Sequence, residues 1–157
     1  MLKLKVDPNW TEIEAKMAWA NLARSLSERN RKHDALWAAV IQASVDPKDA
    51  FNWAVPALVA GEEGEYVASS YCYERALKLD KYDDLYRNYF VESLYESNQY
   101  ARCISEGKKA LKIFCNTRCY MEYIGLSYQK LKNRRMATYW FNRSKKAIGE
   151  TILEEED

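Results

Sequence analysis

Few residues in this chain could hold a metal or act as a nucleophile: Cys72, Cys103, Cys115, Cys119 and a single histidine, His33. A structural zinc ion takes four Cys or His ligands drawn from tightly spaced pairs. Only Cys103-x11-Cys115-x3-Cys119 approaches such a spacing. It lacks a fourth partner, so the thiols read as packing residues and no metal is expected. No glycine pattern of the kind that cradles a phosphate is present. Glu62-Glu63 and the closing Glu154-Glu155-Glu156-Asp157 read as solvated charge. The chain is therefore expected to have no catalytic residue, no cofactor and no small-molecule substrate. What it does carry is material for recognition. Twelve tyrosines and five tryptophans are spread through the sequence, and a tyrosine offers a large apolar ring with a polar tip.

A length of 157 residues has room for one domain. Hydrophobic residues at 48% and charged residues at 30% are the balance of a globular protein. Five glycines and three prolines are too few for a fold built from many tight turns. The formal net charge is +1, which excludes a bulk-charge attraction to nucleic acid or to an anionic membrane. No apolar run approaches the ~20 residues that span a bilayer, and Met1 to Val6 alternates apolar and basic residues without a signal-peptide core. The expected location is cytoplasmic, with the nucleus also open, and the cysteines are expected to be reduced.

The elements that position these side chains repeat. Windows of 34 residues open at Lys16, Ala50, Asp84 and Arg118, giving repeats 16–49, 50–83, 84–117 and 118–151. An N-terminal segment, 1–15, and an acidic tail, 152–157, flank them. The first half of each window spaces apolar and small residues by three and four, which is one face of a helix. These are Trp19, Leu22, Ala23, Leu26; then Trp53, Pro56, Ala57, Ala60; then Phe90, Val91, Leu94 with Arg87 breaking the opening; then Met121, Ile124, Gly125, Tyr128. The second half places a small residue, then an aromatic or small one, then a small one. Ser69, Tyr73, Ala76 do so, as do Cys103, Gly107, Ala110 and Ala137, Phe141, Ser144. Small residues let two helices approach closely. Asp46 is expected to cap the helix of the second window, with Pro47 at its first position.

This pattern resembles the tetratricopeptide repeat, whose signature is Trp-x2-Leu-Gly-x2-Tyr, then Ala-x3-Phe, then Pro, at a 34-residue period. The resemblance runs through nearly the whole chain. It implies an all-α fold, with helix–turn–helix repeats stacked into a right-handed α-solenoid as one domain over 1–157. It also implies a concave groove lined by the first helix of each repeat. On that geometry the lining would be Asn21 and Arg24; Phe51, Val55 and Leu58; Leu85, Asn88, Tyr89, Glu92 and Tyr95; and Glu122, Tyr123, Leu126 and Lys130. Such an array also holds His33 two repeats from Cys103, too far for a Cys–His pair.

Family members that clamp a carboxylate tail need a cationic set in the groove. The matching positions here are Ala20, Arg24, Val55, Leu85 and Tyr89 in one register, and Ala54, Leu58, Tyr89, Cys119 and Tyr123 in the next, so that role is disfavoured. The expected function is a non-enzymatic scaffold or adaptor whose groove takes an apolar, aromatic or basic peptide of another protein. One alternative is a structural subunit or homodimer joined through end faces, where Met136, Tyr139 and Trp140 of the last helix would lack cover. Another is a nucleic-acid-associated module, because residues 81–153 hold 14 Lys and Arg against 7 Asp and Glu. Such a contact would depend steeply on salt. Pro56 sits inside a helix, where it removes the amide that would bond Asn52.

Overall fold

The computed structural model describes residues 46–114 and 117–147, together with Asp34, Ala38 and Ile41. The chain forms two compact units, Met1–Lys81 and Tyr82–Asp157. Among the described residues every regular element is an α-helix. In the first unit these are α1 (Ala50–Glu62) and α2 (Tyr66–Leu79), packed as a hairpin. In the second they are α3 (Asp84–Glu96), α4 (Tyr100–Phe114), α5 (Arg118–Lys130) and α6 (Arg134–Ala147). Here α3 and α4 form one hairpin, α5 and α6 another, and α5 packs on both α3 and α4.

Each hairpin turns by the same device. Gly64, Asn98 and Lys132 have φ of 80°, 61° and 59°. At each, the next amide reaches back to close the helix: Glu65 N to Ala60 O at 2.8 Å, Gln99 N to Leu94 O at 2.8 Å, and Asn133 N to Tyr128 O at 2.9 Å. That is a left-handed helix terminus which satisfies carbonyls that would otherwise be orphaned. Glycine adopts this backbone freely, asparagine tolerates it, and a lysine is strained there. Lys132→Gly is therefore expected to raise stability by about 0.5 to 1 kcal/mol, seen as a higher midpoint in thermal unfolding. A lower midpoint would mean the lysine side chain makes a contact worth more than the strain.

The start of α1 differs from the expected cap. Asp46 Oδ1 accepts from Lys48 N at 3.1 Å and closes a turn through Pro47. Its side chain is thus spent before the helix begins. Asp49 is the cap instead, accepting from Phe51 N at 3.0 Å. Asp83 does the same for α3, accepting from Tyr86 N at 2.8 Å. Asn133 accepts from Met136 N at 3.1 Å at the head of α6. Pro56 is buried inside α1, and the helix runs through it without a break.

The hairpins close on small residues. Ser69 Oγ on α2 donates to Ala57 O on α1 at 2.8 Å. One repeat later Cys103 Sγ on α4 lies 3.5 Å from Val91 O on α3. A thiol thus stands where the first unit has a hydroxyl, over the equivalent carbonyl. On α4, Gly107 leaves so little room that a Cβ there would come 2.8 Å from Ile124 Cγ1. Ile104, Met121, Ile124 and Trp140 form a buried cluster in the second unit, with Leu111, Tyr128 and Met136 packed against it. Arg87, which breaks the apolar pattern of its window, is buried all the same. Its guanidinium reaches the Glu106 carboxylate of α4 at 4.0 Å, so the charge enters the hairpin with a partner.

Candidate functional site

The first helices of the second unit bring the sequence-derived groove candidates together on two packed helices. On α3 these are Asn88, Tyr89, Glu92 and Tyr95, all half-buried. On α5 they are Glu122, Tyr123 and Leu126, also half-buried, with Lys130 exposed. Spacings of three, four and seven place each set on one side of its helix. The rings of Tyr95 and Tyr123 meet across the two helices, centroids 5.7 Å apart and tilted by 52°. Tyr100, at the start of α4, packs on the other side of Tyr95 at 5.7 Å and 59°. Three aromatic rings from three helices thus share one site.

Its electrostatics are acidic. The Tyr123 hydroxyl bonds the Glu92 carboxylate, and Glu96 lies nearby. Burial first, then the charge and hydrogen bond of Glu92, hold this phenol well above its ordinary range. It therefore stays a neutral donor. Asn88 Oδ1 is buried on the same face and has no hydrogen-bond partner. Glu122 is held at the edge by Arg118 and by Ser144 Oγ at 3.5 Å. Carboxylates with aromatic rings between them suit a ligand bearing cations and flat apolar groups.

The other sequence-derived candidates are placed as follows. Phe51 is exposed, and Val55 and Leu58 are half-buried, on α1 of the first unit. Leu85 lies at the head of α3 with 58% of its surface exposed. Asn21 and Arg24 lie outside the described residues. Of the three residues expected on an end face, Tyr139 is 52% exposed, while Met136 packs half-buried against the core. Trp140 requires a correction. It is only 5% exposed and belongs to the buried cluster with Ile104, Met121 and Ile124. Its place on α6, three residues after Ala137, turns it inward with the small positions rather than out with Tyr139. Tyr100 and Glu96 were missed, because each looks like an ordinary helix-end residue until the fold brings Tyr95 and Tyr123 beside them.

The three described thiols are not activated, and Cys115 lies outside the described residues. Burial pushes Cys103 up to about 11 and raises Cys72 and Cys119 as well, the opposite of what a nucleophile or metal ligand needs. Among the described residues no three His, Cys, Asp or Glu side chains converge as a metal site. No helix of these residues is long and apolar enough to cross a membrane.

Helical hairpins at a 34-residue period, closed on small residues and turned through left-handed termini, define a repeat protein. By fold this chain is an all-helical array of hairpins of the kind seen in the solved structures of MamA and PilF. It is similar to a crystal structure of MamA, with 15% identity over 85% of this chain and 78% of that one, at a TM-score of 0.72. MamA from Desulfovibrio magneticus RS-1 gives 11% identity over 85% and 75% of the two chains, also at 0.72. PilF of Pseudomonas aeruginosa gives 22% identity over 87% of this chain and 62% of its own, at 0.64. No protein-family model and no curated protein sequence matches the chain.

Proposed function

We propose that this protein is a non-enzymatic interaction scaffold, and that the α3–α5 face binds a segment of another protein rich in aromatic and basic side chains. The observation that carries this reading is the Tyr95–Tyr123 pair with Glu92 bonded to the Tyr123 hydroxyl. Rigid aromatic rings bury much area at little entropic cost, which makes them frequent energetic centres of interfaces. The carboxylates choose the sign of the partner. The tetratricopeptide fold of the neighbouring structures supports a protein-binding role in general, and among the described residues the raised thiols speak against cysteine chemistry.

Peptides selected from a random display library on the immobilised protein are expected to be enriched in Arg, Lys and aromatic residues. A selected peptide should bind Tyr123→Ala about 30-fold more weakly, a loss of about 2 kcal/mol. Glu96→Lys, at an exposed position, should weaken binding to basic peptides while keeping native helicity, and Glu92→Gln, which keeps the shape of the half-buried side chain, should do the same. Selected peptides without basic enrichment, or full binding by these variants, would refute the reading.

A further inference from the structure

The last helix carries a charge pattern that no carboxylate among the described residues pairs with. The sequence of α6, Arg134 to Ala147, holds five Lys and Arg and no carboxylate. Arg135, Tyr139, Arg143 and Lys146 are spaced by four, four and three, so they form one stripe, and all four are exposed. The ion pairs of this unit join Glu106 to Arg87 and Lys109, and Glu122 to Arg118; among the described residues none involves α6. The contrast with α4 is instructive, because Lys109 there has Glu106 at 2.7 Å.

The placement also works against the helix. Arg134 and Arg135 occupy the first turn of α6, which has no acidic residue. Cations there face the positive end of the helix dipole. Residues that break a local rule without a compensating contact inside the fold point to use outside it. The stripe is also held in place. The Arg143 guanidinium lies over the buried Trp140 ring at 5.1 Å, and Tyr139 meets the same ring edge-on at 5.5 Å and 87°. A surface ordered in advance loses less entropy when a partner arrives.

We propose that the outer face of α6 is a second docking surface, separate from the α3–α5 face, and that it takes an acidic helix of a partner protein. One row of three cations with a tyrosine between two of them extends ~16 Å along the helix. It matches carboxylates repeated at three- and four-residue spacing on an opposing helix, with one apolar side chain against Tyr139. Duplex nucleic acid presents a charge every ~1.7 Å on two strands, which a single row engages poorly, and the whole chain supplies no attracting field at a net charge of +1. A second copy of this chain would bring the same cations against themselves.

The test uses the full chain and fluorescence anisotropy with three labelled probes. These are a lactam-stapled helix bearing Glu at successive i, i+4 positions around a Leu, its Gln counterpart, and a short DNA duplex. The Glu helix is expected to bind and the Gln helix not to. Arg135→Glu/Arg143→Glu should weaken binding at least roughly tenfold while native helicity is kept, since both side chains are exposed. Tyr139→Ala should weaken it as well. Tyr95→Ala on the α3–α5 face should leave it unchanged, which separates this proposal from the previous one. Equal losses in a control that reverses Lys48 and Lys78 would overturn the proposal, since that outcome is charge attraction without a site. Tighter binding of the duplex, or a concentration-dependent dimer abolished by the Arg135→Glu/Arg143→Glu variant, would overturn it in favour of nucleic acid or a second copy.

Discussion

Tyr120→Ala is expected to cost about 4 kcal/mol, enough to unfold a large share of a domain whose total stability is of order 5 to 15 kcal/mol. Tyr120 is fully buried on α5. Its ring lies nearly parallel to Phe114, centroids 6.3 Å apart. Its hydroxyl donates to the Asp84 carboxylate and approaches Asp84 O at 3.2 Å, at the head of α3. One side chain therefore ties the start of one hairpin to the start of the next. Truncation leaves a cavity and removes the donor from the exposed Asp84 carboxylate, so the cavity accounts for most of the cost and the lost hydrogen bond adds to it. Tyr120→Phe keeps the ring and should cost only about 1 kcal/mol. Urea unfolding of the two variants separates these contributions. A loss below about 1 kcal/mol for the alanine would mean that the ring is not the wedge between the hairpins.

The same phenol sets a limit at high pH. Burial, then the hydrogen bond and charge of Asp84, raise Tyr120 far above the ordinary range of a phenol. An acid whose folded pKa is raised adds stability that is complete below the unfolded value and lost as pH climbs toward the folded one. The contribution of Tyr120, with that of Tyr123, should thus hold through neutral pH and decline above about pH 10.

Gly125→Leu is expected to cost about 3 kcal/mol. A Cβ at Gly125 would stand 2.7 Å from Phe141 Cε1 and 2.9 Å from Cδ1. Glycine is here for close approach of α5 to α6, since it sits in mid-helix with nothing unusual in its backbone. Replacement gains up to about 1 kcal/mol of helix propensity, which makes the sign a real contest. The clash wins because the ring edge is wedged into the hairpin and several more carbons must follow the Cβ. Phe141→Ala in the same chain should recover part of the loss, and a double-mutant cycle should show coupling of 1 kcal/mol or more, on the scale of about 0.5 to 3 kcal/mol found between residues in contact. Additive losses would place the strain elsewhere.

The all-helical class was legible because packing in a stacked hairpin array is local and periodic. Ala57, Val91 and Gly125 recur where one helix must pass close to its neighbour, and Ser69, Cys103 and Ala137 recur on the facing helix. A residue spacing of three and four reveals such faces without coordinates. Tertiary structure decided whatever depended on a partner from another segment. Arg87 looked like a break in the pattern until Glu106 came within reach. Asp46 looked like a cap until its own turn used its carboxylate and left the helix to Asp49. Trp140 looked like an uncovered end and is instead the floor beneath Tyr139 and Arg143. Tyr95, Tyr100 and Tyr123 come from three helices, and no spacing along the chain brings their rings together. Periodicity reports which side of a helix is apolar. It carries no record of which side chain stands opposite, and that pairing sets the charge and shape of a binding surface.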